Sequence, residues 1–221
     1  MAHDSTHAVV FDMDGTLVDS GPLAVESAFD GLRAYYAARG LAPRLPEPAV
    51  ILGALGLPSL DYFAALLPPE RRADAAEVRT LVTRSEVERL ERGQGRLMPD
   101  ALETLDGLRR GGWALAIVSN CGRAYFDANL RQLGLGAAVD LALCLDDGPT
   151  KTRNVQDALR TLGARGGAMV GDRAADVEAG RTAGLATIGC RYGFGVDHEL
   201  AGADHTIGAL SELPALLERL G

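Results

Sequence analysis

The sequence predicts an α/β fold in which a doubly wound parallel sheet carries an inserted all-helical cap domain. Short apolar runs alternate with amphipathic stretches of helical length, as expected for strands that are buried on both faces of a sheet. About a hundred residues separate the first two apolar runs, whereas a single crossover needs only ~30 residues. A chain of 221 residues is long enough to bury the core of one large domain or two small ones.

Five apolar runs predict the strands of the sheet. They are residues 8–11, 114–118, 141–144, 168–170 and 186–188. Amphipathic stretches between and before these runs predict the helices that cover the sheet, at residues 101–110, 125–133, 155–162 and 174–183. The alternation indicates a Rossmann-like core, in which ligands bind at the carboxyl ends of the strands.

The segment between the first two runs contains helical patterns and no convincing strand. The patterns cover residues 22–39, 59–67 and 69–91, with prolines and glycines interrupting them between residues 43 and 58. We therefore expect an α/β core at residues 1–17 and 96–221, and a helical cap at residues 18–95.

Composition and charge disfavour several classes of function. The formal net charge is -8, from 22 Lys and Arg against 30 Asp and Glu, and this charge repels nucleic acids and anionic membranes. No apolar run approaches the ~20 residues of a membrane span, and the first residues do not resemble a signal peptide. Three cysteines lie far apart without disulfide or zinc-site spacing. We expect a cytoplasmic protein that acts on a small molecule, and leave open whether it is a monomer or a homodimer.

Polar residues follow the predicted strands. Asp12 and Asp14 follow the first strand, Ser119 and Asn120 the second, Lys151 the third, and Asp172 and Asp176 the fourth. The carboxyl ends of parallel strands meet at one edge of a sheet, so these side chains should converge. Two carboxylates ~4 Å apart repel by ~4 kcal/mol at an effective dielectric of ~20, so either some acids keep their protons or cations sit among them. An all-oxygen site favours Mg²⁺ over Zn²⁺, and Mg²⁺ together with Lys151 would attract a phosphate.

These residues resemble the four motifs of the haloacid dehalogenase superfamily. The motifs are Asp12-x-Asp14-Gly15-Thr16, Ser119, Lys151 and Gly171-Asp172-x-x-x-Asp176, in that order. The helical insert resembles the cap of the phosphoglycolate phosphatase-like branch, and residues 193–195 are similar to a Gly-aromatic-Gly segment of that branch. Many relatives have proline after the motif lysine, where Thr152 stands here. Because the other 21 basic residues are arginines, no other lysine competes with Lys151 for this position.

The resemblance implies a phosphatase that hydrolyses a small, phosphoglycolate-like phosphate monoester through an aspartyl-phosphate intermediate. Asp12 would be the nucleophile, and Asp14 would protonate the leaving alcohol and then activate water. Ser119 and Lys151 would hold the phosphoryl oxygens that are not transferred, and backbone amides of residues 13–15 and Asn120 would help.

The resemblance also implies that Mg²⁺ is the cofactor. Its ligands would be the Asp12 carboxylate, the backbone carbonyl of Asp14 and the Asp172 carboxylate. Asp176 would order these ligands or a metal-bound water, and whether it binds the metal directly stays open.

A sugar-phosphate mutase of the β-phosphoglucomutase type is the alternative function. A mutase must hold the second phosphate of a bisphosphate with cations of the cap. Residues 51–59 are expected to form the loop that reads the leaving group, and they carry no charge, which disfavours this alternative. Arg44 or Arg84 of the cap would favour it if either side chain faced inward.

Overall fold

The computed structural model describes residues 7–220, and the predicted core residues 1–6 and 221 lie outside the described residues. Six parallel strands form one sheet: β1 (His7–Phe11), β2 (Ala114–Val118), β3 (Leu141–Leu143), β4 (Gly166–Gly171), β5 (Ala186–Cys190) and β6 (His205–Ile207). Their order across the sheet is β3-β2-β1-β4-β5-β6. The chain builds one half of the sheet outward from β1 and then crosses back to begin the other half at β4. The predicted doubly wound α/β fold is confirmed.

Helices fill the connections between the strands. Between β1 and β2 lie α1 (Gly21–Ala37), α2 (Pro48–Ala54), α3 (Ser59–Ala65), a 3₁₀ helix (Pro69–Asp74), α4 (Ala75–Glu91) and α5 (Ala101–Arg110). The later helices are α6 (Arg123–Gln132), α7 (Leu135–Ala138), α8 (Lys151–Leu162), α9 (Ala174–Thr182), α10 (Asp197–Leu200) and α11 (Leu213–Leu220), with short 3₁₀ helices at Leu145–Asp147 and Leu210–Glu212. Among the described residues, no helix is both long and apolar enough to cross a membrane.

Helices α1 to α4 bury an apolar core of their own, separate from the cores on the two faces of the sheet. Tyr35, Tyr36 and Ile51 are among its fully buried side chains. Helices α1 and α4 pack closely at Gly31, where a Cβ atom would lie 2.8 Å from the Cα of Val82. The insertion is all-helical, as the sequence predicts, and its boundaries at residues 18 and 95 stay a prediction.

Two short segments connect the insertion to the sheet, and they pair side by side. The amide of Asp19 donates to the carbonyl of Arg96 at 3.0 Å, and the amide of Met98 donates to the carbonyl of Leu17 at 2.9 Å. This antiparallel pair holds the entry and exit of the insertion close to the carboxyl end of β1.

Two elements differ from the sequence-based expectation. Helix α2 occupies residues expected to be irregular, because Pro48 stands at its first turn, where the missing amide hydrogen is not needed. The expected loop at 51–59 therefore begins inside a helix. Strand β6 was not predicted, because it has three residues of which only Ile207 is buried, too few for a periodic pattern.

The close packing of α1 on α4 leads to a prediction about stability. Gly31→Ala should lower the free energy of unfolding by about 1–3 kcal/mol, because the added methyl group overlaps the α4 backbone. Gly107→Ala is the control, since an added Cβ in the middle of α5 meets nothing within 4 Å. That variant should be about 0.5–1 kcal/mol more stable than the wild type. Urea denaturation of the wild type and the two variants measures the free energy of unfolding of each. An equal change in the two variants would show that α1 and α4 have room to separate.

Candidate active site

All seven site residues predicted from the sequence lie at one edge of the sheet, at the carboxyl ends of β1, β2 and β4 and the start of α8. None of them is more than 8 % exposed, and they are Asp12, Asp14, Ser119, Asn120, Lys151, Asp172 and Asp176. The connections from β1 and β4 diverge here, which is where ligands of doubly wound sheets bind. The structure brings these side chains together, and their individual roles stay predictions.

The turn after β1 positions Asp12 and Asp14. The amide of Asp12 donates to the carbonyl of Val170 at 2.9 Å and so extends the pairing of β1 with β4. The chain then folds back tightly through Gly15, whose φ is +80°, a conformation that favours glycine. A Cβ atom at Gly15 would also collide with the carboxylate of Asp172. Glycine is therefore required here by both backbone conformation and space.

Three of the carboxylates form a buried cluster. Oxygen atoms of Asp12, Asp172 and Asp176 all lie within 4.8 Å of one another. Burial raises the pKa of Asp12, and burial together with Asp176 raises the pKa of Asp172 to about 6. One oxygen of Asp172, Oδ1, is buried and has no hydrogen-bond partner among the described residues. A buried all-oxygen cluster with an unpartnered oxygen fits a hard divalent cation such as Mg²⁺.

Lys151 provides a positive charge inside this cluster. Its ammonium group is paired with the Asp12 carboxylate and lies 2.5 Å from Oδ1 of Asp176. Burial alone would lower the pKa of Lys151, but the two carboxylates outweigh it and raise the pKa above its ordinary value. One ammonium group lies among three carboxylates, so the cluster keeps negative charge that a further cation can neutralise.

Backbone amides orient the other oxygens of the cluster. The amides of Phe194 and Gly195 donate to Oδ2 of Asp172 at 2.7 and 3.2 Å. The amide of Arg173 donates to Oδ2 of Asp176 at 2.9 Å. The segment after β5, which the sequence marks only by its similarity to relatives, thus fixes the direction of one carboxylate.

Asp14 has a different environment from the three clustered carboxylates. Burial raises its pKa, and a hydrogen bond that Tyr125 Oη donates to Asp14 Oδ1 at 2.7 Å opposes that shift. Tyr125 is buried on the first turn of α6. No motif of the sequence marks Tyr125, although a tyrosine shortly after a strand end is a usable signal, because a buried phenol needs a hydrogen-bond partner.

A cavity of about 530 Å³ lies between the sheet and the helical insertion. Asp12, Asp14 and Ser119 line it from the sheet, and the apolar residues 55–57 line it from the insertion. Helix α4 forms another wall, which includes Arg79 and Arg84. The cavity wall formed by the sheet is therefore acidic, whereas the wall formed by the insertion carries both apolar and charged residues.

Two side chains of the core hold the loop of the insertion over this cavity. Asn120 Nδ2 donates to the carbonyl of Gly56 at 3.0 Å, and Arg173 Nη2 donates to the carbonyl of Gly53 at 3.1 Å. Arg173 is also paired with Glu199 at 2.9 Å. The side-chain amide of Asn120 is thus directed toward the insertion, and the predicted contribution of Asn120 to phosphate binding concerns its backbone amide.

Comparison with known proteins agrees with this geometry. A family model described as haloacid dehalogenase-like hydrolase matches residues 6–184. A plasmid-encoded phosphoglycolate phosphatase of Cupriavidus necator is 33% identical, over 95% of this chain and 92% of that protein. A phosphoglycolate phosphatase of Chromobacterium violaceum is 32% identical over 96% of each chain. The crystal structure of a predicted phosphoglycolate phosphatase from Haemophilus somnus has a TM-score of 0.79 at 21% identity, covering 95% of this chain and 96% of that one.

The fold, the acidic cluster and these matches define the class of protein, and the chain belongs to the haloacid dehalogenase-like hydrolase family. Within the family it lies in the phosphoglycolate phosphatase-like branch, and it is a phosphoric monoester hydrolase. The resemblance stated from the sequence motifs is confirmed.

The pairing of Lys151 with buried carboxylates predicts a pH-dependent loss of stability when the lysine is removed. In metal-free protein, Lys151→Met should lower the free energy of unfolding by about 3–5 kcal/mol, because two buried carboxylates lose their cation. The pKa values of Asp12 and Asp172 are raised, so the folded protein keeps protons that the unfolded chain releases, and its stability falls as the pH rises. Without the ammonium group these carboxyl groups hold their protons more strongly, so the fall becomes steeper. The loss should therefore be larger at about pH 8 than at about pH 5.

Urea denaturation in the presence of a chelator measures this loss. Arg153→Met is the control on the same helix, because the Arg153 side chain is 50% exposed and its removal should change stability by no more than about 0.5 kcal/mol. A Lys151→Met variant as stable as the control at both pH values would show that the ammonium group does not offset the carboxylates.

Proposed function

We propose that the protein is a Mg²⁺-dependent phosphatase that hydrolyses a small phosphate monoester, of about the size of phosphoglycolate, through an aspartyl-phosphate intermediate. The observation that carries this proposal is the placement of Asp12 in contact with Lys151, beside two more buried carboxylates and at the wall of the cavity. The relatives named phosphoglycolate phosphatase support the choice of substrate size.

In this proposal the Asp12 carboxylate, the backbone carbonyl of Asp14 and the Asp172 carboxylate hold Mg²⁺. The Asp176 carboxylate orders these ligands or a metal-bound water, since one of its oxygens lies within 4.8 Å of oxygens of Asp12 and Asp172. When bound, Mg²⁺ neutralises charge on the phosphoryl group and keeps its ligand carboxylates ionised.

The first chemical step forms a bond between a carboxylate oxygen of Asp12 and phosphorus. The ester bond between phosphorus and the leaving oxygen breaks in line, and Asp14 donates its proton to that oxygen. Lys151, Ser119 and the backbone amide of Asn120 hold the oxygens that are not transferred. Such positioning and charge neutralisation supply most of the catalysis of phosphoryl transfer.

The second step hydrolyses the aspartyl phosphate. Asp14, now a carboxylate, removes a proton from water as the water oxygen attacks phosphorus. The bond between phosphorus and Asp12 breaks, which releases phosphate and restores the Asp12 carboxylate. Burial keeps the pKa of Asp14 raised, so that it carries a proton for the first step, and Tyr125 stabilises the ionised form that the second step needs.

A sugar-phosphate mutase is the second candidate, and one observation favours it. Arg79 and Arg84 both line the cavity from α4, and neither forms an ion pair with another described residue. A cap arginine facing the cavity is a feature that a mutase requires, because it must hold a second phosphate. Arg44 is instead paired with Glu70 at 2.9 Å. The apolar residues 55–57 in the same cavity favour the phosphatase.

The proposed function is tested by phosphate release from p-nitrophenyl phosphate with Mg²⁺ and with a chelator. We expect release only with Mg²⁺, and at least about a 10³-fold loss of kcat in Asp12→Asn, because an amide is not a nucleophile. Radiolabelled phosphate from the substrate should become attached to the wild-type protein and not to this variant.

Asp61→Asn is the matched control for this test. Asp61 is exposed on α3 and does not line the cavity, so its variant should release phosphate like the wild type. Full activity of Asp12→Asn, or activity in chelator, would contradict the proposed mechanism. With glucose 1-phosphate and a bisphosphate primer, formation of glucose 6-phosphate faster than phosphate release would favour the mutase.

The hydrogen bond from Tyr125 predicts a shift in the pH profile. Tyr125→Phe removes the bond that stabilises ionised Asp14, so the pKa of Asp14 should rise. Because the second step needs ionised Asp14, the acidic limb of the kcat profile should move to higher pH by about one unit. Tyr35→Phe is the control, since the hydroxyl of Tyr35 bonds to Asp74 on the insertion. An unmoved limb in Tyr125→Phe would show that Tyr125 does not influence the proton of Asp14.

A further inference from the structure

The cavity contains two buried polar groups that the proposed mechanism does not use. Tyr62 on α3 is 7% exposed and Glu86 on α4 is 6% exposed, and both line the cavity. The hydroxyl of Tyr62 has no hydrogen-bond partner among the described residues. Glu86 has a hydrogen bond from Thr83 on its own helix and no ion pair with any described residue.

Glu86 occupies a position where an apolar residue is expected. The buried residues of α4 include Val78, Val82, Glu86 and Leu90, which repeat every fourth position along the helix. A carboxyl group in such an apolar stripe is destabilising unless it has a partner. Glu86 has no ion pair and the Tyr62 hydroxyl has no hydrogen-bond partner among the described residues, and both line one cavity, so they point to a ligand that bonds to them.

The surroundings of Glu86 show which ligand group fits. Asp14 faces it from the turn after β1, Tyr125 from α6 and Tyr62 from α3, and none of these groups is cationic. Burial and Asp14 raise the pKa of Glu86 to about 8. A carboxylate placed here would lie beside two acidic side chains, Asp14 and Glu86, with no cation among these neighbours. A hydroxyl group both donates and accepts, so it can bond to Tyr62 and Glu86 in either protonation state.

The arginines of α4 are at other positions of the cavity wall. Arg79 is two helical turns before Glu86, about 10 Å along the helix axis. Arg84 also lines the cavity, but it is two residues from Glu86, and side chains two residues apart on a helix do not face each other. A small leaving group that reaches Glu86 therefore does not meet a cation of this helix at the same point.

We propose that Tyr62 and Glu86 form a subsite for a hydroxyl group of the leaving alcohol, so that the preferred substrates are phosphate monoesters of small polyols and not of hydroxy acids. This inference rests on the proposed phosphatase function. It assigns Tyr62 and Glu86 as specificity-determining residues, whereas Asp12 and Asp14 act on the phosphoryl group whatever the alcohol is.

Three esters with a common two-carbon skeleton test the proposal: 2-hydroxyethyl phosphate, ethyl phosphate and 2-phosphoglycolate. The wild type should have its highest kcat/KM for 2-hydroxyethyl phosphate. In Tyr62→Phe and Glu86→Leu, the ratio of kcat/KM for 2-hydroxyethyl phosphate to that for ethyl phosphate should fall about threefold to tenfold, as expected for the loss of one hydrogen bond. Glu86→Leu replaces a buried carboxyl that has no ion pair among the described residues by an apolar group of similar size, so the variant should fold.

Tyr36→Phe is the matched control. Its hydroxyl is also buried and has no hydrogen-bond partner among residues 7–220, but Tyr36 does not line the cavity. Its variant should therefore keep the wild-type ratio. A ratio that stays unchanged in both test variants, or a higher kcat/KM for 2-phosphoglycolate than for 2-hydroxyethyl phosphate, would overturn the subsite. Failure of the proposed function is distinguishable, because then no ester would release phosphate with Mg²⁺, and the subsite would be rejected with it.

Discussion

The burial of three carboxylates around one ammonium group is the constraint on which the rest of the site depends. Oxygens of Asp12, Asp172 and Asp176 lie within 4.8 Å of one another, and their mutual repulsion grows as water is removed. Lys151 offsets part of this repulsion, and the amide of Phe194 offsets another part. The surplus of negative charge favours the binding of a divalent cation. When no cation is bound, it favours the retention of protons by the carboxyl groups.

The sheet and the insertion contribute different walls of the site. In the proposed function, side chains at the ends of β1, β2 and β4 surround the phosphoryl group. The insertion forms the opposite wall and is tied to the core by its paired connections and by bonds from Asn120 and Arg173 to loop carbonyls. In that proposal the sheet carries the chemistry and the insertion carries the choice of alcohol, so relatives can share the chemistry and differ in the alcohol.

Helix α4 shows how packing and specificity share one element. Its face toward α1 is apolar and close enough that Gly31 has no room for a side chain. Its face toward the cavity carries Arg79, Thr83, Arg84 and Glu86. A displacement of α4 would therefore change both the stability of the insertion and the shape of the cavity wall.

The sequence alone determined five of the six strands, the helical nature of the insertion and the positions of the strand-end residues. These follow from local periodicity and from the rule that parallel strands end at one edge, so Asp12, Lys151 and Asp172 could be identified without coordinates. The tertiary structure alone decided that Tyr125 bonds to Asp14, 111 residues away, and that Tyr62 and Glu86 face the same cavity. Such contacts depend on how helices of the insertion and the core are turned toward each other, and no local pattern encodes that orientation.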